Sequence, residues 1–464
     1  MEKQAQLERQ LERIVWKLKM AARRDEALKE FGASRHQYRM NEPLGSQEIA
    51  VFEKKYGVSL PEPFSEFIQQ IGNGGAGPYY GIAELDFDQP TEFLNHDCRL
   101  FPEMTQQQWG EMTAFLDNST LGAAQKESIE AELYGGLLRI GEMGWTFEMM
   151  LVMTGDYRGR IVYIDRSFQI PFFTYEANFL EWYERWLDEV IGRYDTGWFA
   201  MDRAEDDVML NDLYLSNLEE KVKVSAIQGM HKLPKLKGDT LDFLLEQCTD
   251  ASAAVRMAAL EVLTQKDYAA ADIFLKRALK SGLAEERLNA ARQIDIHGEV
   301  GGGKHTFLLE RLLPQEEDHR VLCQITRILE QGTVNPLPTL VPFFSHTDPK
   351  MRREAIFHAG QLPGHEAYAS AFGRALEDED EMVRRTAVGA LEGLPLPEFL
   401  PQYERLLSDL SSGNKLRLAV LRRLEEYGSQ AYELFERAAA DSDSEIRKEA
   451  RRLLMRFGMK MKKT

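Results

Sequence analysis

DEDEMVRRTAVGALEGL, residues 378–394, is the stretch that decides the fold of the second half of the chain. Its apolar and small residues recur three and four positions apart, which is the spacing of one face of an α-helix. Asp380 precedes that face as an N-cap, where a carboxylate accepts hydrogen bonds from the first backbone N–H groups of a helix. Related stretches stand at 348–362, DPKMRREAIFHAGQL, and at 441–454, DSDSEIRKEARRLL. The pattern is therefore one copy of a repeat.

The repeat covers residues 205–458 and can be followed on anchor positions that lie 30 to 34 residues apart. The anchors are Lys223, Arg256, Arg287, Val321, Arg352, Arg384, Arg417 and Arg447. Three positions later stand mostly small residues, where helices approach closely: Ala226, Ala259, Ala290, Gln324, Ala355, Ala387, Val420 and Ala450. Such a period is typical of a solenoid, in which each helix pair buries its apolar face against the next. We expect about eight helix pairs over residues 205–464, and the pattern resembles short HEAT repeats.

An acidic residue stands four positions before the anchor arginine in three copies of the repeat: Asp348 and Arg352, Asp380 and Arg384, and Asp443 and Arg447. A catalytic pair would be exceptional, whereas these pairs are periodic. We interpret the aspartates as N-caps and the arginines as a ladder along the stack.

The first half of the chain mixes helical and strand-like patterns. A helix is predicted from Ser46 to Gly57, and another begins at Pro61 or Pro63. An aromatic stripe predicts a closing helix over 178–191. Between them, alternating stretches predict four strands: GLLRIGEMG, EMMLVMTG, GRIVYID and QIPFFTY. The predicted fold class is thus an α+β domain, an antiparallel sheet with packed helices, joined to an all-α solenoid.

A leading helix is predicted over residues 3–31, with an apolar stripe from Leu7 to Phe31. It lies within a segment that we place at 1–40, and the α+β domain is placed at 41–200. A basic amphipathic helix can lie on a membrane surface. Here glutamates interleave with the basic residues, which favours a solvated face over a stripe packed against the core.

Three blocks of the first half resemble the SUKH superfamily, which includes bacterial toxin-immunity proteins and fungal cell-wall synthesis regulators. They are IAVFEKKYGVSLPEPFSEFIQQIGNGG, GLLRIGEMGWTFEMMLVMTGDYRGRIVYID and FLEWYERWLDE, within residues 41–195. One departure is visible at Gly144, Trp145 and Thr146, where many members have a glycine and cysteine pair. The resemblance implies a protein-binding module without catalysis. Candidate partner-binding residues lie just past its glycine-rich turn: Tyr79, Tyr80, Glu84, Asp86 and Asp88.

The net charge of -18 is distributed unevenly. Residues 1–40 carry a net +4, residues 41–200 a net -16 and residues 201–464 a net -6. The acidic segment opposes binding of nucleic acid and favours a basic protein partner.

No pattern predicts a catalytic, cofactor or metal site. GEVGGGKH, residues 298–305, departs from the phosphate-binding G-x-x-x-x-G-K-[ST] motif at its last position, so we expect a flexible loop between repeats. His96 with Cys98, and His297 with His305, lack further ligands nearby in the sequence. Asp86 and Asp88 are better interpreted as a charged rim than as a calcium or magnesium site. We therefore expect neither an enzyme nor a bound cofactor.

The location of the protein is predicted from what the sequence lacks. It contains no apolar run of membrane-spanning length and no secretory signal pattern. Its three cysteines, widely spaced, are expected to be reduced. We expect a cytoplasmic protein; its oligomeric state stays open.

These patterns are compatible with three functions. The first is a bacterial immunity protein, whose acidic domain binds and neutralises a basic toxin domain, such as a nuclease. The alternative is a cytosolic regulatory scaffold or adaptor, in which both halves are docking surfaces. An enzyme is the third, since some HEAT-like solenoids act on alkylated DNA bases and others attach bilin pigments. The net negative charge of the solenoid disfavours a DNA-acting enzyme.

Overall fold

The computed structural model describes residues 2–86, 93–118, 120–203, 205–409 and 413–458. The chain divides into two compact units, Met1–Phe243 and Leu244–Thr464. Among the residues described, no helix combines the length and the apolar character that crossing a bilayer requires.

The first unit is built from helices and one antiparallel sheet. Its helices are α1 (Glu2–Arg24), α2 (Ala33–His36), α3 (Ser46–Tyr56), α4 (Glu62–Gln70), α5 (Gln106–Thr113), α6 (Ala123–Leu133), α7 (Phe179–Gly192), α8 (Asp207–Ser216) and α9 (Glu220–Gly229). Its strands, in the order β1-β2-β3-β4, are β1 (Leu137–Gly144), β2 (Phe147–Val152), β3 (Ile161–Asp165) and β4 (Phe172–Phe173). The predicted strands and closing helix are found at these places. Helix α10 (Gly238–Gln247) contains the division between the units.

Both faces of the sheet are buried, because helices cover each of them. Leu138 and Tyr163 belong to a core shared with α1, α3, α4 and α7. Leu137 and Val162 belong to a second core with Trp109 of α5 and Leu133 of α6. Neighbouring residues of a strand point to opposite faces. Burial on both sides explains why β2 and β3 are almost continuously apolar.

Helix α1 is shorter than the predicted helix over 3–31. The carboxylate of Asp25 accepts hydrogen bonds from the backbone N–H groups of Lys29 at 2.6 Å and Glu30 at 3.1 Å. This local bonding replaces the helical pattern, since aspartate competes with the helix for backbone donors. Phe31, the last residue of the predicted apolar stripe, is instead 52% exposed.

The leading helix packs against the core, as its interleaved charges indicate. Leu11 and Ile14 are buried. On its polar side, Arg13 and Lys17 each donate to the carboxylate of Glu184 on α7 at 2.9 Å. Helix α1 is therefore part of the first unit.

Helices α8 and α9 belong to the first unit although their pattern is that of the solenoid. Lys232, just after α9, is buried and places its Nζ 3.4 Å from the carboxylate of Glu189 on α7. The same Nζ donates to the carbonyl of Asp195 at 3.0 Å. These bonds attach the helix pair to the α+β part.

The second unit is all helical. It contains α11 (Ala253–Lys266), α12 (Tyr268–Ala278), α13 (Ala284–His297), α14 (Thr306–Leu312), α15 (His319–Glu330), α16 (Leu337–Leu340), α17 (Pro349–Ala359), α18 (Ala369–Ala375), α19 (Glu381–Ala390), α20 (Leu400–Ser408), α21 (Asn414–Leu424), α22 (Tyr432–Ala438) and α23 (Ser444–Arg456). Each odd-numbered helix packs on the next odd-numbered one, and each even-numbered helix packs on the odd-numbered helix that follows it. The predicted fold class, an α+β domain and an all-α solenoid, is confirmed.

Aspartates cap second helices of the repeats at the three predicted positions. The side chains of Asp348, Asp380 and Asp443 accept hydrogen bonds from backbone N–H groups of α17, α19 and α23 respectively. Asp318 caps α15 in the same way. Each cap satisfies donors that the first turn of a helix leaves unpaired.

The arginine ladder joins successive repeats. Arg352 donates to the carboxylate of Asp378 at 2.7 Å rather than to the aspartate four positions before it, and also to the carbonyl of His346 at 2.8 Å. Arg287 pairs in the same way with Glu316 at 2.6 Å. The anchor arginine therefore ties its own helix start to the acid that precedes the next one.

Candidate protein-docking surface

Tyr79 is a structural residue of the first unit. Its side chain is buried, and its hydroxyl donates to the carbonyl of Phe199 at 3.2 Å. Burial raises the pKa of its phenol well above the usual range. The backbone at Tyr79 has a φ of 54°, so the glycine-rich turn directs this ring inward and the next one outward.

Tyr80 lies at the surface, half-buried among other side chains. Its ring centroid is 5.1 Å from that of Phe31, and the guanidinium of Arg35 lies over the ring at 5.3 Å. The ring also covers Gly144, where an added Cβ would meet it at 3.1 Å. Tyr80 therefore connects the loop after α1 to the end of β1.

The three acidic candidates follow Tyr80 in the chain. Glu84 and Asp86 are exposed. The carboxylate of Glu84 accepts from the side chain of Asn41 at 2.8 Å. Asp88 lies outside the described residues.

Trp145 occupies the tip of the hairpin between β1 and β2. Its side chain is fully exposed, at 104%, and its backbone has a φ of 58°, next to Gly144 at 98°. A bulky residue in the left-handed region costs on the order of 1 to 2 kcal/mol. Thr146 anchors the tip, because its hydroxyl donates to Asp165 at 2.5 Å. Burial alone would raise the pKa of Asp165, but hydrogen bonds from Ser167 and Thr146 lower it. Asp165 is therefore an ionised carboxylate when it accepts the hydrogen bond from Thr146.

Five residues form what we call the hairpin-tip surface: Phe31, Arg35, Tyr80, Glu142 and Trp145. Arg35 links the tyrosine to the strand, since it pairs with Glu142 at 2.8 Å as well as lying over Tyr80. Tryptophan, tyrosine and arginine are the residues most enriched at the energetic centres of protein interfaces. The surface presents an exposed tryptophan at the hairpin tip and a charged pair formed by Arg35 and Glu142, and its five side chains include no nucleophile or paired base for chemistry.

Sequence reasoning identifies Tyr80 but misses the rest of this surface. It assigns Phe31 to a helical stripe, and Trp145 enters it only as a departure from the SUKH pattern. The signal for Trp145 is a tryptophan directly after a glycine at a predicted strand end, where a tight turn exposes its side chain.

A cleft of about 690 Å³ adjoins Tyr80 and is rich in basic groups. Its lining includes Arg35, Arg39 and Arg139, with Glu142 as a carboxylate. His36 also lines it; burial lowers the pKa of this histidine to about 4, so it is neutral at pH 7. The negative charge of residues 41–200 is therefore not concentrated beside Tyr80.

The motif at residues 298–305, which resembles a phosphate-binding loop, and the histidine pairs noted in the sequence form part of the local structure. Val300–His305 forms a 3-10 helix between α13 and α14, where a flexible loop is expected from the sequence. The His305 side chain is fully buried and lies 3.0 Å from Asp272, and the Tyr268 hydroxyl is 3.3 Å from it. His96 is exposed, while Cys98 is half-buried with its Sγ 3.8 Å from the carbonyl of Leu100.

A protein-family model supports the repeat in the second half. A model of HEAT repeats matches residues 337–413. The chain is similar in structure to Escherichia coli YibA, with 16% identity, 54% of this chain and 93% of that chain covered, and a TM-score of 0.40. It is similar to Kap95p, solved bound to RanGDP, with 12% identity, coverages of 60% and 43%, and a TM-score of 0.41. The CpcE–CpcF complex of phycocyanin lyase from Nostoc sp. has 15% identity, coverages of 55% and 96%, and a TM-score of 0.28. The sequence has no significant match among curated proteins.

The HEAT match runs from the first residue of α16 to the residue before α21. The second half is therefore a HEAT-like solenoid. These comparisons add nothing to the SUKH resemblance of the first half, which stays a prediction.

Proposed function

We propose that this chain is a non-catalytic scaffold or adaptor that binds other proteins, and that the hairpin-tip surface is a docking site. The observation that carries the proposal is Trp145, a fully exposed tryptophan held in left-handed backbone conformation. Strain of this kind persists where surrounding structure imposes it, and it concentrates at functional sites.

The energetics of the surface favour a protein partner. A tryptophan offers some 150 to 250 Å² of area for burial, and because the turn already fixes its backbone, only its side-chain torsions remain to be ordered on binding. Arg35 and Glu142 add a charged pair to the same surface. An apolar anchor with a polar rim is the usual composition of a specific interface.

The solenoid supports the same proposal from the other half. HEAT-like stacks create extended surfaces, because successive repeats are displaced by small, regular rotations. Large apolar side chains are exposed on the second helices at Ile296, Phe357 and Met455. We propose that both halves act as docking surfaces.

A narrower form of the proposal is the immunity protein, in which the partner is a basic toxin domain. It is supported by the SUKH resemblance and by the net charge of -16 over residues 41–200. The arginines of the cleft beside Tyr80 weigh against a basic partner at that place. The broader scaffold is therefore the main proposal.

Quantitative affinity purification of the full chain from its native cell tests the proposal. We compare the wild type with Trp145→Ala, and use Trp16→Ala as the matched control, since Trp16 is an exposed tryptophan on α1 outside the hairpin-tip surface. Loss of a central interface tryptophan costs about 2 kcal/mol or more, or about 30-fold in affinity. We expect a partner that co-purifies with the wild type and the control and is depleted in Trp145→Ala, and isothermal titration with the purified partner to give the same ranking.

The identity of the partner separates the two forms. A single secreted effector, whose toxicity co-expression suppresses, supports the immunity protein. Components of a cellular assembly support the scaffold. Equal recovery of every partner by Trp145→Ala and wild type contradicts the docking site.

A further inference from the structure

Three potential metal ligands meet between two neighbouring helices of the second unit. Cys323 lies on α15, and Glu354 and His358 lie on α17. A thiol sulfur, a carboxylate oxygen and an imidazole nitrogen from these residues all lie within 4.8 Å of one another. The two ligands on α17 are four positions apart and therefore share one face of the helix.

The donor set and its spacing suit zinc. Zn²⁺ takes cysteine sulfur, histidine nitrogen and carboxylate oxygen at 2.0 to 2.3 Å, which places tetrahedral ligands roughly 3.5 Å apart. The Nε2 of His358 lies 3.3 Å from the Sγ of Cys323. Only a small adjustment is therefore needed for both atoms to contact one ion.

A second carboxylate orients the histidine. The Nδ1 of His358 lies 2.8 Å from the carboxylate of Glu330, at the end of α15. A histidine that donates Nδ1–H to a carboxylate presents the lone pair of Nε2, which is the usual outer-sphere arrangement of a zinc-bound imidazole. Arg353 donates to Oε1 of Glu354 at 2.7 Å and orients that ligand as well.

The neighbouring interface, between α13 and α15, is joined by other types of side chain. Between α13 and α15, Asp295 accepts from the amide of Gln324 at 3.0 Å and from the guanidinium of Arg327. Amide and guanidinium groups are sufficient to join two stacked helices there. A thiol, an imidazole and two carboxylates at the next interface form a set with the ligand types of a metal centre.

We propose that Cys323, Glu354 and His358 bind a Zn²⁺ ion, with Glu330 positioning His358 and water completing the coordination. His358 is buried, whereas Cys323 and Glu354 are partly exposed, so the ion enters from the solvent side. On binding, Cys323 releases its thiol proton and the imidazolium of His358 releases its Nε2 proton to solvent, and the two residues coordinate through the thiolate and through Nε2.

Titration of the full chain with metal after treatment with a chelator tests the site. Zn²⁺ binding is measured by isothermal titration, and Co²⁺ serves as a spectroscopic probe, since a cobalt–thiolate bond gives a charge-transfer absorption band. We expect one equivalent of either ion, and loss of the band in Cys323→Ser. His358→Gln should lose stoichiometric binding, and Glu330→Gln should weaken it about 10- to 100-fold. Cys248→Ser is the matched control, because Cys248 lies on no part of the cluster and should leave binding unchanged.

A measurement on the wild type avoids dependence on the folding of variants. Cys323 is alkylated with and without Zn²⁺, and the modified peptide is quantified by mass spectrometry. Protection of Cys323 by Zn²⁺ supports the proposal. Absence of stoichiometric binding, or binding that leaves Cys323 equally reactive, overturns it and identifies the cluster as a hydrogen-bonded bridge between helices.

Discussion

His36 is a buried histidine next to the candidate docking surface, and its contacts fix its charge. Its Nδ1 accepts a hydrogen bond from the backbone N–H of Tyr38 at 3.0 Å. Its ring meets those of Tyr38 and Trp186 edge-on, with centroids at 5.2 and 5.9 Å. An accepting Nδ1 requires an unprotonated nitrogen there. The folded state therefore favours neutral imidazole.

The first prediction concerns the acid stability of the first unit. Burial, opposed by the charge of Asp25, lowers the pKa of His36 from 6.5 to about 4. Its stabilisation is therefore full above pH 6.5 and is lost as the pH falls to about 4, by about 2 kcal/mol after allowance for solvent screening. We expect His36→Gln to lose less stability than the wild type between pH 7 and pH 4.5.

Urea unfolding followed by tryptophan fluorescence measures this effect. All six tryptophans lie between residues 16 and 198, so the signal reports the first unit. His96→Gln is the control, because His96 is exposed and the variant should follow the wild type. The same loss of stability in His36→Gln as in the wild type would contradict the assignment.

At the scale of the element, most second helices of the repeats begin at side-chain caps, namely α11, α15, α17, α19 and α23. Asp380 accepts from the N–H groups of Met382 at 2.8 Å and Val383 at 3.0 Å. Its loss leaves both donors of α19 without their cap. The helices are short, so tertiary packing and caps both contribute to their stability.

Removal of one cap gives the second prediction. Asp380→Ala should destabilise α19 by about 1 kcal/mol, or about fivefold in its opening equilibrium, whereas Asp380→Asn should retain most of the stability. Hydrogen exchange of the Glu381–Ala390 peptide, followed by mass spectrometry, measures the change. Equal protection in Asp380→Ala and the wild type would show that the cap contributes nothing beyond packing.

The ends of elements mark the limit of sequence reasoning at this scale. Gly57 ends α3 as predicted, with a φ of 66°. The predicted end of α1 is wrong, since the bonds of Asp25 to Lys29 and Glu30 form only in a local turn that periodicity does not report.

Helices α5 and α6 are absent from the sequence-based prediction. Each of them buries only one or two side chains, so neither carries enough apolar positions to set up a recognisable helical spacing.

At the scale of the whole molecule, buried ion pairs join the repeats into one stack. Arg352 is 5% exposed and is held by Asp378 from the next repeat. Arg417 is 3% exposed and pairs in the same way with Asp441. Removing one partner of a buried pair leaves the other charge uncompensated, which costs more than the pair itself contributes.

The third prediction follows from that asymmetry. Arg352→Met should lower the free energy of unfolding of the second unit by about 3 kcal/mol, and Arg352→Met with Asp378→Leu should recover part of the loss. Arg374→Met is the control, because Arg374 is exposed on α18. Differential scanning calorimetry compares the four proteins. A double variant no more stable than the single one would rule out an uncompensated Asp378 as the cause.

The sequence by itself determined the class of both halves. Repeat period and alternation are consequences of backbone geometry, and they identify helix pairs and strands wherever one face is buried. The caps at Asp348 and Asp380 are equally local, since donor and acceptor lie within three residues.

Only the tertiary structure decided which distant side chains meet. It placed the partner of Arg352 in the following repeat, directed Tyr79 inward and Trp145 outward, and brought Cys323 to Glu354 and His358. These contacts depend on how helices and turns pack across 26 or more residues of sequence, and no local spacing encodes such distances.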